Sequence, residues 1–462
     1  MKQMTISPVT RVEGHGEVRI DLNDRGEVER AHFSVVELRG FERFLVGAAV
    51  EEAPRITPRI CGICPTSHHL AAAKALDQIF GAEPPEAGKK LRELMMLGQY
   101  IHSHALHFFM LAAPDYLLPG AGEGDRNVMG LAKGSMELVK KAIAVRKFGQ
   151  RITEAVGGKP IHPATGVPGG VSHPIQESQR ASLLQMAEGV LAAAIESWEI
   201  AHSLMDKIDP SVGLVNTAFM GMQKGGLFTF DGGQVQVCSP EGTTLGSFSG
   251  ADYVSQMEEY TEDWSYLKFC RLKAGQPYRV GPLARLNIVN SMGTSEADKA
   301  LAEYRKKYGR VVQTTLAYNI ARYVEFLWAC ERAKELLQDS ALTAQKTRTP
   351  VEGVVNRRGV GIIEAPRGTL IHDYTVNEAG IIERCNLIVA TCQNNYAMDR
   401  SVEEVARRVI RDGKPIDGGV NLIESVIRAY DPCLSCATHM IKTENGRMAS
   451  RPFIKICISG VR

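Results

Sequence analysis

Two cysteine pairs stand near opposite ends of the chain: Cys61 and Cys64 in RICGICPTSHHL, and Cys433 and Cys436 in DPCLSCATH. Each pair can present two thiolates to one metal. Gly62 and Pro432 suit tight turns, and backbone amides near a helix start lower thiol pKa values toward the metal-binding thiolate. Together the pairs make a four-sulfur site. Zinc ribbons use four thiolates too, but they place their pairs about 15 to 20 residues apart so that a small module folds round the ion. Here most of the chain intervenes. A site assembled from both ends of a large fold suits a buried reactive centre, because the whole core sets its geometry. Spacing alone leaves a catalytic metal, an iron–sulfur cluster and zinc all open.

The rest of the composition is that of a globular protein. With 462 residues, 44% of them hydrophobic, the chain can bury one large core or two ordinary ones. Its 54 basic and 52 acidic residues are spread along the whole length, so no arm or stripe suggests a nucleic acid or a membrane surface as partner. The start, MKQMTISPVTRVEGHGEV, has no apolar core of signal-peptide length, and no apolar run approaches the roughly 20 residues of a spanning helix. A cytoplasmic protein is expected. The cysteines, ten in all, are too sparse for a disulfide scaffold, and those outside the pairs read as buried apolar residues or spares.

The elements that must position the thiols are mainly helical. Residues 16 to 38 read as two strands joined at Asn23-Asp24-Arg25-Gly26. HHLAAAKALDQIF and the long AGKKLRELMMLGQYIHSHALHFFMLAA carry helix formers, the second with apolar residues on more than one face, as a buried helix has. Further helices are expected near 125 to 156, at ESQRASLLQMAEGVLAAAIESWEIAHSLMDKI, and near 295 to 337. Residues 226 to 290 switch to Gly-punctuated β-branched and aromatic stretches, and 353 to 391 read as successive strands turning at Asn377 to Gly380, before a last helix near 400 to 412. The expected architecture is α+β: long buried central helices with small peripheral antiparallel sheets. No repeat or low-complexity linker is visible, so one interwoven unit over 1–462 is expected: a hairpin region at 1–55, a helical core at 56–225, a β-rich insertion at 226–290, helices at 291–345, a meander with the second cysteine pair at 346–439, and a tail at 440–462.

Other residues invite a functional reading and have a plainer one. His102, His104 and His107 in YIHSHALHFF have no carboxylate at ligand spacing, and read as satisfied core or interface histidines. Glu13 in RVEGH would pair with Arg11 or cap a turn. Arg367, Asp115 and Asp431, taken singly, would be ion-pair members.

Taken together, RVEGHGEV, LRGFERFL, RICGICPTSHH, EAPRG and DPCLSCATH stand in the order and approximate spacing of the large subunit of nickel–iron hydrogenases, and the resemblance spans essentially the whole chain. It implies that Cys61 and Cys433 are terminal nickel ligands, and that Cys64 and Cys436 also bridge to an iron carrying cyanide and carbon monoxide. Soft thiolates suit nickel, and bridging sulfur spreads charge over both metals. Dihydrogen is a very weak acid, so splitting it needs a metal to take the hydride and a base to take the proton. The resemblance gives that base as Cys433, with Glu13 the carboxylate that receives the proton next.

By the same resemblance Arg367 lies over the metal pair, with Asp115 and Asp431 accompanying it and Pro366 shaping the same canopy. Thr391 offers a hydroxyl to a cyanide, and Ala390 stands where many members have proline, as suits the cytoplasmic branch. His68 would hydrogen-bond a bridging sulfur, whereas His69 reads as a packing residue. Glu42, the Leu387 carbonyl and His439 match a buried magnesium site. His162, in the loop GGKPIHPATGVPGGVS, would face an iron–sulfur small subunit.

Beyond the two pairs the chain has no cluster-type cysteine run and no GxGxxG following a strand, so electrons need that small subunit. EAPRITPRICGIC and HSHALHFFMLAAPD most resemble the methyl-viologen-reducing type, which feeds heterodisulfide reductase through a further electron-transfer subunit. Relatives that serve NAD(P) or deazaflavin, and a dihydrogen sensor, are the alternatives. The quinone-site subunit of complex I shares the fold but lacks the cysteine pairs. The resemblance also implies an endopeptidase that trims the precursor after His439, making Met440 to Arg462 a maturation tail.

Overall fold

Alternating residues in GEVRIDL make Gly16–Leu22 a strand that turns Val18, Ile20 and Leu22 into the core. It pairs antiparallel with Val28–Val35 on one side and with Lys2–Ile6 on the other, the latter an addition to the expected hairpin. The Asn23 side chain closes the turn by accepting from the amides of Arg25 and Glu27. This computed structural model describes residues 2–35, 37–122 and 124–437, together with a short backbone pairing of Thr443–Glu444 with Arg447–Met448. His439 and, apart from that pairing, the expected tail at 440–462 lie outside the described residues.

Helix Pro65–Ile79 opens with proline at its first position, where no amide is needed, and is buried on almost every face. Strand Arg358–Ala365 lies directly on it. A Cβ at Gly359 or Gly361 would sit 2.1 or 2.0 Å from the carbonyl oxygens of Ala75 and Ala71, so only glycine permits this backbone contact. The strand turns back at once: Ala365 pairs with Gly368 of Gly368–Val376, leaving Pro366 and Arg367 at the hairpin tip. Ile382–Ile388 completes an antiparallel sheet in which Gly368–Val376 is central.

The long helix Glu86–Ala105 widens into π-helical turns over Leu106–Ala112 before Ala113–Leu117, the kind of local irregularity often found at functional sites. The helix expected near 125 to 156 is broken in two, Val128–Gly134 and Met136–Gly157, because the Ser135 side chain accepts from the Leu138 amide and starts a new helix. The segment expected near 295 to 337 likewise divides into Ser295–Tyr308 and Tyr318–Leu337, the first ending at Gly309 with φ +90°. Tyr318–Leu337 runs through the core with Arg322 and Glu325 both fully buried.

Between these helices, Ala218–Lys224, Gln234–Cys238 and Thr244–Phe248 form an antiparallel sheet, extended by a short parallel strand at Tyr278–Arg279; Met257–Thr261 pairs separately with Lys268–Leu272. The last predicted helix begins earlier than expected, running over Ala390–Val409. Its first turns look polar in sequence because their amides serve as buried struts: Asn394 accepts from the Val280 amide, Gln393 donates to the Thr369 carbonyl, and Asn395 donates to that of Lys268. Gly419–Tyr430 follows and ends at Asp431. The molecule is a mainly helical α+β structure with small sheets, as the sequence predicts, but the sheet that carries Arg367 is buried against helix Pro65–Ile79 and is not peripheral.

Candidate metal centre

Cys61 is the extended residue that ends a tight turn over Thr57–Ile60, and Cys64 is the residue before helix Pro65–Ile79. Cys433 follows Pro432, and Cys436 lies in the short helix Leu434–Ala437. The fold brings both pairs together. Sγ of Cys64 is 3.2 Å from that of Cys436 and 3.9 Å from that of Cys433, and Cys433 is 3.3 Å from Cys61 and 2.6 Å from Cys436. All four sulfurs are buried within 4.8 Å of one another, and among the described residues no other such cluster of potential ligands occurs. Hydrogen bonds from the other three thiols hold the Cys61 pKa well below the usual thiol range despite burial, whereas burial pushes Cys433 and Cys436 up. Sulfurs buried this close together can all be thiolates only with a cation among them. The soft donor set and its spread fit a thiophilic metal.

Glu13 approaches the tetrad from the other end of the chain. Its backbone bridges Cys433 in parallel, its carbonyl accepts from the Leu434 amide (3.1 Å), and its carboxylate Oε2 accepts from the Ser435 amide (3.1 Å). Burial, then the negative charge of Cys61, raises its pKa. Arg11 does not pair with it; that guanidinium binds Asp115 and Asn421.

Arg367, at the hairpin tip, donates from Nε to the Asp431 carbonyl (2.7 Å) and from Nη2 to Asp431 Oδ1 (3.0 Å), while its buried Nη1 has no hydrogen-bond partner. Arg367, Pro366 and Thr391 line a small pocket with Cys64, Cys433 and Cys436. An orphaned buried donor facing sulfur ligands fits an acceptor group carried by a bound metal. Burial opposes the charge on Arg367, but Asp431 and the sulfurs outweigh it and hold its pKa well above normal. Asp431 has φ +53°, a strained value for a non-glycine residue, and its Oδ2 faces Arg322 Nε at 4.0 Å.

Asp115 is placed differently from the expectation: it lies between Arg11 and Arg428, which donates to both carboxylate oxygens, and not against Arg367. Thr391 Oγ1 accepts from the Cys433 amide (2.9 Å), which leaves its own proton available to the pocket. His68 reaches Cys436, with Nε2 3.4 Å from Sγ. His69 is used in packing: Nδ1 contacts the Pro54 carbonyl and Nε2 accepts from the Gly166 amide. His162, with φ +58°, sits beside Arg59 outside the Cys61 loop. Of the three helical histidines, His104 bonds Glu325 and His107 the Arg428 carbonyl, and the half-buried His102 is a neighbour of Arg146.

The expected magnesium ligands meet a different cation. Glu42 Oε1 accepts from Lys268 Nζ (2.5 Å) and from the Leu387 amide (2.8 Å), so the Leu387 main chain is turned toward this carboxylate. Lys268 also reaches Asn386 and Glu259. One ammonium between two carboxylates leaves a negative charge, and Glu259 Oε1 lacks a hydrogen bond of acceptable geometry, which leaves room in charge for a further cation. Lys268 carries no motif, and only the register of its strand opposite Met257–Thr261 shows it.

Residues 39–120 and 234–439 match the family described as nickel-dependent hydrogenase, and residues 3–38 match one described as HoxL-like. A subunit of the vhu F420-non-reducing hydrogenase of Methanococcus voltae is 43% identical over 89% of this chain and all of its own length. The corresponding F420-non-reducing hydrogenase chain of Methanothermobacter marburgensis is 43% identical over 96% of each chain. Among solved structures, an NAD+-reducing [NiFe]-hydrogenase in the H2-reduced state superposes with a TM-score of 0.89 at 41% identity, covering 95% of this chain and 100% of that one.

Proposed function

The chain belongs to the nickel-dependent hydrogenase family, in which it is a large, catalytic subunit that acts on dihydrogen, and from that premise we propose how its own residues divide the work. The observation that carries the reading is the tetrad of Cys61, Cys64, Cys433 and Cys436, closed by both ends of the chain. Cys61 and Cys433 would hold nickel alone, and Cys64 and Cys436 would also bridge to iron with cyanide and carbon monoxide ligands. When bound, the metal pair supplies the electrophilic sites at which dihydrogen is split heterolytically.

The chain's part is to hold and move the proton and to position the diatomic ligands. Cys433 Sγ is the first base. The Glu13 carboxyl is held next to Cys433 by the Ser435 amide, and burial makes its protonated form accessible, so it takes the proton onward. The free Nη1 of Arg367 and the Thr391 hydroxyl would donate to cyanide nitrogens, and Pro366 walls the pocket. Asp431 orients Arg367 directly. Asp115 acts at one remove by fixing Arg11 and Arg428 beneath the Glu13 segment. His68 polarises the sulfur of Cys436. Magnesium would be held by Glu42 with the Leu387 carbonyl and His439.

Relatives named as hydrogenase subunits support a partner of the iron–sulfur small-subunit kind, with the His162 loop at its interface. Onward transfer would run to heterodisulfide reductase through a further electron-transfer subunit. The structural likeness to an NAD+-reducing enzyme supports nicotinamide as a second reading. Among the described residues no helix is long and apolar enough to cross a membrane, and we place the complex in the cytoplasm. An endopeptidase would remove the tail beyond His439.

The test is metal analysis with infrared spectroscopy of the purified complex. About one nickel per tetrad is expected from four soft thiolates, with cyanide and carbon monoxide bands. Zinc in place of nickel, without those bands, overturns the assignment, and turnover with dihydrogen separates an enzyme from a sensor.

A further inference from the structure

Helix Pro282–Ile288 carries a fully buried arginine, Arg285, whose five N–H donors are all used. Nε and Nη2 donate to the two carboxylate oxygens of Glu325 at 2.6 Å each, and Nη1 donates to Glu364 Oε2 at 2.8 Å. The remaining two hydrogens go to main chain, Nη1 to the Ala365 carbonyl (2.8 Å) and Nη2 to that of Pro366 (2.9 Å). These carbonyls immediately precede Arg367 at the hairpin tip. The next one, that of Arg367 itself, packs on Gly281, where a Cβ would stand 2.5 Å from its oxygen. Residues 281 to 285 therefore grip three successive carbonyls of the tip.

We propose that Arg285 is a positioning residue for Arg367, fixing the peptide groups from which that side chain springs so that its third donor stays aimed at the metal pocket. The inference rests on reading Arg367 as a donor to a ligand of the metal pair. Asp431 holds only the guanidinium of Arg367, through two contacts. Where those contacts place the third donor depends on the backbone behind them. The peptide group between Ala365 and Pro366 has no N–H and can only accept, so it is fixed by a donor from elsewhere in the fold. Arg285 is that donor.

A stabilising role alone does not account for an ion cluster here, since apolar side chains of similar volume often serve stability as well or better. What the cluster adds is a fixed place. Glu364 Oε1 accepts from the Met222 amide and the Thr369 hydroxyl, and Glu325 Oε2 also meets His104, so both carboxylates are anchored to other elements before they hold Arg285. The same helix that carries Glu325 carries Arg322 one turn earlier, and Arg322 faces Asp431 at 4.0 Å. Glu364, Arg285, Glu325, Arg322, Asp431 and Arg367 thus form a buried series of alternating charge that ends over the sulfurs. Lysine at 285 would keep the charge, but one ammonium cannot reach two carboxylates and two carbonyls together.

The experiment compares Arg285→Lys with Arg367→Lys and the parent in the loaded complex, by crystallography and by infrared spectroscopy. In the crystal structure of Arg285→Lys, Arg367 should lose at least one of its two contacts with Asp431. A tip and a guanidinium placed as in the parent overturn the proposal. In the infrared spectrum the separation of the two cyanide bands should change in the same sense as in Arg367→Lys, with nickel content held. Cyanide bands unmoved in Arg285→Lys but moved in Arg367→Lys overturn the proposal, as does a loss of nickel in which the centres that remain give parent bands. Where Arg285→Lys does not fold, the triple variant Arg285→Met, Glu325→Gln, Glu364→Gln leaves no unpaired buried charge and carries the same expectations. Should Arg367→Lys itself leave the cyanide bands unmoved, the reading of Arg367 as a cyanide donor fails, and the crystal structure still decides whether Arg285 positions it.

Discussion

Glu13 and Cys433, separated by almost the whole sequence, lie in a parallel backbone bridge, with the Glu13 carboxylate bonded to the Ser435 amide two residues beyond that cysteine. A carboxyl fixed there by main-chain contacts cannot drift from the sulfur whose proton it is proposed to take. Replacing Glu13 with Gln keeps an oxygen for the Ser435 amide and removes only the ability to carry a proton. Exchange between dihydrogen and deuterated water should fall roughly 100-fold or more, in line with general-base contributions, while nickel content holds. Normal exchange in the variant would remove Glu13 from the relay.

Arg367 meets Asp431 through two donors and keeps a third for the pocket. Lysine at this position would retain the positive charge but cannot make the fork and the third contact together. Arg367→Lys should lower turnover by roughly 100-fold, the scale of losing one preorganised donor, with metal occupancy unchanged. Full turnover would mean that charge alone matters above the centre, and not the aimed donor.

The cysteines, Arg367 and the hairpin tip that carries it were legible because each sits in a local motif whose order along the chain is distinctive. Other parts were not legible, for a common reason. Asp115 meets Arg428, His372 meets His68, and Lys268 meets Glu42 only through packing of elements far apart in sequence. Their side chains give no periodic or spacing signal. The early turns of helix Ala390–Val409 misled in the same way, since buried amides that brace neighbouring strands look like loop residues when read alone.

Asp399 offers a test of pH dependence away from the metal. It is buried, accepts from the Phe33 amide at 2.8 Å, and has its pKa pushed by burial from 3.8 up to about 7. A carboxyl raised in the folded state favours folding while protonated. Its stabilising effect is complete below the unfolded pKa of about 4 and is lost as pH rises through about 7. Asp399→Asn keeps an acceptor for the Phe33 amide and has nothing to ionise. Compared with the parent, the variant should gain relative stability between pH 4 and pH 8, by up to ~4 kcal/mol. Melting temperatures of both proteins across that range check it. A difference that stays constant with pH would show that Asp399 ionises freely in the fold.

Gly361 ties the fold to the centre most directly. The strand that leads into the hairpin tip at Arg367 lies on the helix that begins after Cys64 and carries His68, and a Cβ at Gly361 would stand 2.0 Å from the Ala71 carbonyl. Neither backbone can yield without separating the two elements, so Gly361→Ala acts on both sides of the pocket at once. Overpacking of this kind typically costs about 1–3 kcal/mol, and here the displacement would also pull Arg367 and Cys64 apart. Gly353 makes a control, since a Cβ there meets nothing within 4 Å. Gly361→Ala should melt at lower temperature and retain less nickel than the parent, while Gly353→Ala should match it in both. Equal nickel retention in the two variants would mean that the helix and the strand are not what fixes the metal pocket.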